Sequence, residues 1–278
     1  MCLIVFAWKV VPGAPVIAAA NRDEFYDRPS APAAVWPEHP HVIAGRDLKF
    51  GGSWMGVTRP DGPDCQWPAD ALQRLSPLRA RCQGGALAPI EDAGQAPSRF
   101  AAITNIRGPN ERRLDAPSRG ALVADYLTGS MTAADYIASI RAGAGAYNGF
   151  NLVLGDREQL IWFSNRGDAD ARNGMPLEPG VYGISNGLLD APWPKVLKTK
   201  AQFASLLCLG APEDAYFEML ADTTRAPDMR LPDTGIEIEL ERKLSAVCIE
   251  TPGYGTRTST VVKVFEDAPA ELHERILQ

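Results

Sequence analysis

The chain has 278 residues, of which 45% are hydrophobic and 22% are charged, a composition ordinary for a globular protein with one large domain. Its 28 basic residues stand against 34 acidic ones, for a net charge of -6, and no basic stripe with interleaved aromatic residues occurs, which argues against a nucleic-acid partner. No apolar run reaches the length of about 18 residues that a membrane-spanning helix needs.

The first predicted elements are two strands. The apolar runs CLIVFAW (residues 2–8) and VIAAA (16–20) flank the segment KVVPGAP, which predicts an antiparallel hairpin that turns at Pro12 and Gly13. Neither run alternates apolar with polar residues, as a strand of a sheet with one wet face would. We therefore expect a sheet that is covered on both faces.

The register of this hairpin decides which residue faces Cys2. A two-residue turn puts Cys2 opposite Asp23, whereas a three-residue turn puts it opposite Arg22. The pattern alone leaves both registers open. In either one, Cys2 lies beside the charged run that ends the second strand, NRDE at residues 21–24.

The next segment breaks the pattern of apolar strands. From Asp61 to Ser98 the sequence is rich in proline, glutamine, arginine, glycine and alanine and shows little periodicity. We interpret 61–98 as a poorly ordered insertion in a single domain that spans 1–278. Because the apolar pattern resumes at RFAAITNIRG, the strands before and after the insertion are expected to be neighbours.

Helices and further hairpins follow. Helical periodicity occurs in TAADYIASIRA, with Thr132 as its N-cap, in PWPKVLKTKAQFASLL and in APEDAYFEMLAD. FNLVLGD with QLIWFSN, and AVCIE with STVVKVF, predict two more hairpins. Lys195, Lys198 and Lys200 are interpreted as the solvated face of the second helix. Together these elements predict an α+β fold in which sheet is covered by helices.

The cysteines and histidines indicate neither disulfides nor metal. Five cysteines, an odd number without CxxC or Cys/His spacing, fit a reducing cytosol, so we predict a cytoplasmic protein. His39 and His41 lie in a proline-rich segment, and no metal site is predicted there. No P-loop or dinucleotide fingerprint occurs, so no cofactor is predicted either.

Cys2 has a chemical use if Met1 is removed, which is expected when a small residue follows the initiator. Cys2 would then carry a thiol and a free α-amine, which titrates near about 8 and can accept the proton of the thiol. The Arg22 guanidinium would favour the thiolate, and Asp23 or Glu24 would hold that arginine or the amine. The alternative is an inert buried cysteine beside an ion pair at the strand end.

Seven segments along the chain resemble, in order, the NRDE family, also called the transport and Golgi organisation family. They are MCLIVFAW, AANRDEFYDRP, GGSWMGV, ITNIRG, YNGFNLVLGD, GISNGLLDAPWPKV and GTRTSTVV. The family in turn resembles the N-terminal nucleophile hydrolases, in particular the choloylglycine hydrolases and penicillin V acylases. The resemblance implies a four-layer αββα sandwich of antiparallel sheets. It also implies a hydrolase or acyltransferase that acts on an amide C–N bond of a small molecule.

The resemblance assigns roles to residues at the start of the chain. Cys2 matches the nucleophile, and Arg22 matches an arginine on the second strand. The aspartate of the hydrolases falls where this chain has Phe25, and we take Asp23 as its substitute.

Three later residues complete the set of candidate catalytic residues. Asn105 and Asn186 resemble amide donors near the tetrahedral oxyanion, which such donors stabilise by roughly 3 kcal/mol each. Arg257 resembles a further active-site arginine. Read from the residues alone, both asparagines could instead be turn formers that cap local backbone.

A second function stays open. Family members are linked to haem movement, to Golgi organisation and to lipid metabolism, so the resemblance also implies a non-catalytic protein with haem or an acyl lipid as cargo. No cysteine precedes a proline and only three histidines occur, which is few for a dedicated haem site. A hydrolase pocket can nevertheless hold apolar cargo without a special motif.

Overall fold

The structure is a computed structural model that describes residues 2–59, 98–109, 111 and 113–278. Except for Ser98, the predicted insertion at 61–98 lies outside the described residues. Within these ranges the chain forms an α+β fold with two antiparallel sheets and five α-helices. In the same ranges, no helix is long and apolar enough to cross a membrane.

Twelve strands are described. They are β1 (Cys2–Val11), β2 (Ala14–Phe25), β3 (Ser30–Trp36), β4 (His39–Asp47), β5 (Met55–Thr58), β6 (Phe100–Asn105), β7 (Phe150–Gly155), β8 (Leu160–Ser164), β9 (Gly180–Ile184), β10 (Glu250–Thr251), β11 (Tyr254–Val264) and β12 (Glu271–Ile276). The α-helices are α1 (Gly120–Thr128), α2 (Ala133–Arg141), α3 (Pro194–Leu209), α4 (Glu213–Leu220) and α5 (Ile238–Leu244).

The strands divide between two sheets. The first has the order β10-β11-β2-β1-β9, with β12 paired to β11, and the second has the order β3-β4-β5-β6-β7-β8. In the second sheet, each strand lies beside the strand that follows it in the chain, so the order of strands in space is their order in the sequence. The first sheet brings strands from both ends of the chain side by side, so β2 lies between β1 and β11.

The β1–β2 hairpin contains features of both predicted registers. Val11 pairs with Ala14, which is the two-residue turn, but beyond a bulge after Trp8 the pairs shift by one residue, and Cys2 lies opposite Arg22. Lys9, in the bulge, has a φ of 48°, a left-handed conformation that lets the strand take up the extra residue. The prediction of a turn at Pro12 and Gly13 is therefore confirmed.

Both faces of the first sheet are buried, as the unbroken apolar runs predict. Ile4 and Phe6 of β1 point into a hydrophobic cluster shared with the second sheet. Leu3 and Val5, which point the other way, pack in a second cluster with α3 and α4. Because successive side chains of a strand alternate between its faces, only a continuous apolar run can fill two clusters at once.

The second sheet is also covered on both faces. One face supplies Met55 and Trp162 to the cluster between the sheets. The other packs against α1 and α2 in a third cluster, in which Tyr126 and Leu152 are almost fully buried. The core is therefore three apolar layers separated by the two sheets.

The predicted helices are confirmed. TAADYIASIRA forms α2, and the Thr132 hydroxyl accepts a hydrogen bond from the Asp135 backbone N–H at 3.1 Å, as a capping residue does. The other two predicted helices correspond to α3 and α4. The pattern did not predict α1 or α5, which are short, at nine and seven residues.

One predicted hairpin is mostly wrong. FNLVLGD and QLIWFSN pair as predicted, in β7 and β8. AVCIE, however, contributes only Glu250 to the two-residue strand β10, and β11 pairs mainly with β2 and β12. On the edge of β11 where β10 lies, residues 258–263 pair with β12 instead, and β2 occupies the other edge, so AVCIE has no free edge to pair with.

Candidate active site

The charged run that ends β2 sends its side chains to opposite faces of the first sheet. Asn21 is buried, and its amide donates to the backbone oxygens of Leu220 and Val247 at 2.8 and 2.9 Å. The Ser259 hydroxyl donates to its side-chain oxygen at 2.7 Å. Asn21 thus links β2 to the end of α4 and to the segment that follows α5, which is a structural role.

Arg22 points to the other face and lies beside Cys2. Its guanidinium stacks over the Trp54 ring at 4.2 Å from the ring centroid, and the residue is only 6% exposed. The Trp54 ring packs against β4 at Gly45, where a Cβ would meet it at 2.1 Å. Because Gly45 has no side chain, the Trp54 ring can pack there, and the ring in turn orients the Arg22 guanidinium.

The thiol of Cys2 lies where its protonation state is balanced by opposing effects. Burial raises its pKa, and the negative charge of Asp23 raises it further. The positive charges of the chain's amino terminus and of Arg22 lower it. Because burial is the larger effect, the resting group is a neutral thiol that needs a base to become a nucleophile.

Asp23 is buried beneath this pair, with 1% of its surface exposed. Its Oδ1 accepts a hydrogen bond from the Thr256 hydroxyl at 2.7 Å. Burial raises the pKa of the carboxyl, while the charge of Lys195 is the largest effect that opposes the rise. The structure therefore brings Cys2, Arg22 and Asp23 together, as the strand register requires.

Lys195 corrects an interpretation made from the sequence. It is 3% exposed and not part of a solvated face, unlike Lys198, whose side chain is 45% exposed. Burial lowers the pKa of Lys195 to about 8, against the pull of Asp23. Its Nζ makes no hydrogen bond to any residue of the described ranges. The first turn of α3 thus places a buried amine where it interacts with Asp23.

A buried ion pair lies next to Lys195. Arg107 Nη1 is 2.5 Å from Glu241 Oε2, and the two side chains are 7% and 3% exposed. The guanidinium also lies 4.8 Å from the centroid of the Trp193 ring. Burial lowers the pKa of Arg107, and Glu241 opposes that shift. The pair joins the end of β6 to α5, and its guanidinium is one of the charges that oppose the rise in the pKa of Asp23 caused by burial.

The two candidate asparagines differ in position. Asn105 ends β6 and lines the same cleft as Cys2. Asn186 is fully buried, and its amide donates to the backbone oxygen of Asn105 at 2.9 Å. Asn186 therefore fixes the chain at Asn105, and only Asn105 lies among the residues that line the cleft.

Arg257 lies in a bulge of β11, between the pairs Thr256–Asp23 and Thr258–Arg22. Its Nη1 donates to the backbone oxygens of Phe25, at 3.4 Å, and of Arg28. It therefore holds the chain segment that follows the charged run. Arg257 does not line the cleft; burial is the main cause that lowers the pKa of Arg22, and the charge of Arg257 adds to it.

The cleft at Cys2 has a volume of about 300 Å³. Its wall includes Arg119, which stands just before α1 because the backbones of Gly52 and Gly120 meet there. A Cβ on Gly52 would lie 2.4 Å from the carbonyl carbon of Gly120, and Ser53 N–H donates to Gly120 O at 3.1 Å. The glycines of the GGSW motif thus serve to bring a second arginine to the thiol.

A larger cavity of about 840 Å³ adjoins the cleft and shares Glu24, Arg28, Asn105 and Arg119 with it. Its walls carry charged side chains, such as Asp27, Lys49 and Glu111, and a set of apolar and aromatic ones. The latter are Phe25, Ile106, Ile236, Leu240, Leu244 and Tyr254. The site can therefore hold a polar group at Cys2 and an apolar group beside it.

Sequence reasoning missed Arg119, Lys195 and Arg107 as members of this site. Arg107 and Lys195 fall inside quoted motifs, ITNIRG and GISNGLLDAPWPKV, so a signal was present. Arg119 lies in no motif, and its place depends on the contact between Gly52 and Gly120.

The comparisons with known proteins agree with each other. The sequence profile of the family described as "Transport and Golgi organisation 2" matches residues 1–62 and 67–278. The chain is 32% identical to the Transport and Golgi organization protein 2 homolog of Bos taurus over 296 residues, 99% of this chain and 92% of that protein. It is 30% identical to the Homo sapiens homolog over 298 residues, again 99% and 92%. Similarity extends to the Drosophila melanogaster protein, at 28% over 303 residues, 98% of this chain and 90% of that protein.

Proposed function

We propose that this chain, which belongs to the Transport and Golgi organisation 2 family, is an N-terminal cysteine nucleophile hydrolase or acyltransferase. Its substrate would be a small molecule with an amide C–N bond. The observation that carries the proposal is the position of Cys2, opposite Arg22 and in the wall of a polar cleft. An inert core cysteine would have no reason to lie in a cleft with charged neighbours.

The arrangement of the core supports the fold that this proposal requires. The three hydrophobic clusters lie between α3 and α4 and the first sheet, between the two sheets, and between the second sheet and α1 and α2. A four-layer αββα sandwich of the N-terminal nucleophile hydrolase type has this order of layers. In it, the first strand starts at the edge of the inter-sheet space, where Cys2 lies here.

The proposed reaction begins when processing leaves Cys2 at the amino terminus. The free α-amine of Cys2 takes the thiol proton, and Sγ attacks the amide carbon, forming a C–S bond while the carbonyl oxygen becomes negative. The C–N bond then breaks, the leaving amine takes the proton, and a thioester remains on Cys2. Water releases the acyl group as a carboxylic acid, or an acceptor amine takes it instead.

The neighbours of Cys2 have distinct proposed roles in these steps. Arg22 favours the thiolate, and its guanidinium is held by Trp54. Asp23 holds the α-amine in place. Asn105 is the proposed donor to the oxyanion, with Asn186 fixing its backbone. Arg257 acts at a distance, by holding the segment after the charged run.

The larger cavity favours a second candidate function. Its apolar walls suit a protein that binds haem or an acyl lipid as cargo without chemistry. In that case Cys2 and Arg22 would only shape the polar end. The cargo function requires no free α-amine, and this difference separates the two candidates.

The experiment compares four forms of the protein on a panel of acyl amides. They are the form that begins at Cys2, a form that retains Met1, Cys2→Ser, and Cys208→Ser as a matched control at an exposed cysteine. We expect turnover in the first and last forms, and loss of it in the other two at unchanged melting temperature. Intact mass should show an acyl adduct on the first and last forms and on neither of the other two.

Full turnover in the form that retains Met1 would contradict the proposal, because a blocked amine cannot serve as the base. A saturable Soret shift with haem that is equal in all four forms, together with no turnover in any, would instead support the cargo function.

A further inference from the structure

The cleft at Cys2 is rich in guanidinium groups, although the chain as a whole has a net charge of -6. Four arginines line it, against three carboxylates. The arginines are Arg22, Arg28, Arg113 and Arg119, and the carboxylates are Asp23, Glu24 and Asp47.

Two of these carboxylates already face one arginine. Arg28 Nη2 lies 2.5 Å from Asp47 Oδ2, and Arg28 Nη1 lies 3.6 Å from Glu24 Oε2. Asp23 is buried below the cleft, with its Oδ1 on the Thr256 hydroxyl. Asp47 and Glu24 are therefore engaged by Arg28, and Asp23 accepts a hydrogen bond from Thr256.

The other three arginines have no such partner. In the described ranges, no carboxylate oxygen comes within 4.0 Å of the guanidinium nitrogens of Arg22, Arg113 or Arg119. Arg113 and Arg119 are anchored by neutral groups: Arg119 Nη1 donates to Gly149 O at 2.9 Å, and Arg113 Nη2 to Gly145 O at 3.3 Å. These bonds orient the groups and leave them without a carboxylate in direct contact, although Glu111 and Glu24 act on Arg119 from a greater distance.

Guanidinium groups that have no carboxylate in contact can form a site for an anion around a cleft, because each presents a fork of N–H donors that matches a carboxylate or phosphate. Two of the three are also shielded from water: Arg22 is 6% exposed, and burial lowers the pKa of Arg119. Shielding strengthens their attraction for an anion.

We infer that the wall formed by Arg113 and Arg119, together with Arg22, binds an anionic group of the substrate next to Cys2. The substrate class is thus a small-molecule amide that carries a carboxylate or a phosphate close to the amide bond. Calling the bound molecule a substrate rests on the proposed function, but binding of an anion at this site does not require turnover.

Two thiol reagents that differ in charge test the site directly. Iodoacetate and iodoacetamide alkylate the same sulfur atom by displacing iodide, and only the first is an anion. The exposed Cys208 is an internal control in the same chain. We expect the iodoacetate-to-iodoacetamide rate ratio at Cys2 to exceed that at Cys208 by about tenfold or more, and to fall as salt is raised.

Variants assign the effect to the named residues. Arg119→Gln should lower the ratio at Cys2 by about tenfold, the loss of one charge-assisted contact. Arg275→Gln, which removes a guanidinium paired with Asp214 outside the cleft, should leave the ratio unchanged. Peptide mass spectrometry of the alkylated protein resolves the two cysteines.

The outcomes separate this inference from the proposed function. Equal ratios at Cys2 and Cys208 would overturn the anion site and leave the nucleophile in place. If Cys2 reacts with neither reagent, the nucleophile fails, and calorimetric titration of Cys2→Ser with hippurate and its uncharged amide decides the anion site. Binding of hippurate that is about tenfold tighter supports the site, whereas equal binding or none overturns it.

Discussion

Cys2 lies directly opposite Arg22, although the turn of their hairpin pairs Val11 with Ala14 and would, without a bulge, place Cys2 opposite Asp23. The extra residue lies at Lys9 and Val10, across from Pro15. Proline has no N–H to give to the ladder, so an interruption of the pairing costs little at that point. A bulge at the turn thus sets which charged residue faces the thiol.

The first prediction concerns this pair. In Arg22→Leu, the pKa of the Cys2 thiol should rise further, because one of the positive charges that lower it is lost. Alkylation of Cys2 by iodoacetamide at neutral pH should then slow by about tenfold, because the thiolate and not the thiol is the form that reacts. Arg275→Leu is the control. Equal rates in all three proteins would reduce Arg22 to a packing residue.

The second prediction tests the bulge. Lys9 has a φ of 48°, which glycine adopts at no cost and a β-branched residue adopts poorly. Both Lys9→Gly and Lys9→Val lose the hydrogen bond from Nζ to Glu158 O, so their difference isolates the backbone. We expect Lys9→Val to unfold at lower denaturant, with a free energy of unfolding about 1 kcal/mol below that of Lys9→Gly. The opposite order would mean that the bulge is not left-handed in solution.

The third prediction concerns the segment from 60 to 97. Thr58 N–H donates to Arg99 O, and Arg99 N–H to the Thr58 hydroxyl, both at 2.9 Å, so the flanking strands are already paired. Replacing 60–97 by Asn-Gly would close β5 and β6 with a two-residue turn. We expect a single cooperative unfolding transition in urea, as in the full chain. A broad transition without a folded baseline would show that the segment belongs to the core.

The fourth prediction concerns the pH dependence of stability. The folded-state pKa of Lys195, about 8, lies below its ordinary value of about 10.4. Between these values the unfolded chain binds more protons, so the contribution of Lys195 to the free energy of unfolding rises with pH. Relative to Lys195→Met, the full chain should gain up to about 3 kcal/mol between pH 8 and 10.5.

Urea midpoints measured from pH 7 to 10.5 check this prediction. Lys198→Met, at the next turn of the same helix and about half exposed in an ion pair with Asp222, is the matched control and should run parallel to the full chain. If the urea midpoints of Lys195→Met and the full chain change in parallel with pH, the amine of Lys195 is solvated and its burial beside Asp23 is wrong.

Much of this architecture follows from local patterns. Unbroken apolar runs predict strands buried on two faces, and β1 and β2 confirm it, because each face needs its own apolar residues. The Thr132 cap and the turn at Pro12 and Gly13 depend on hydrogen bonds and backbone angles within a few residues, so they too can be read from the sequence.

The composition of the site was only partly predictable. Cys2, Arg22 and Asp23 come together because they end two strands of one hairpin, and the sequence alone restricts their pairing to two registers. The choice between the registers depends on a bulge, which has no distinct signature in the residues that form it. The sequence therefore determined that Arg22 and Asp23 lie near the Cys2 thiol, and the folded strands decided that Arg22 lies opposite it.

Lys195 and Arg119 were decided by tertiary structure alone. The first turn of a helix can expose or bury a lysine, and Lys195 is buried because α3 packs on β1 and β9, with its stem covered and its amine toward Asp23. Arg119 reaches the cleft because the backbones of Gly52 and Gly120, distant in sequence, approach closely enough to exclude a Cβ. Propensity and periodicity describe neighbours along the chain, whereas burial and charge at this site arise from segments that meet only after the two sheets have packed.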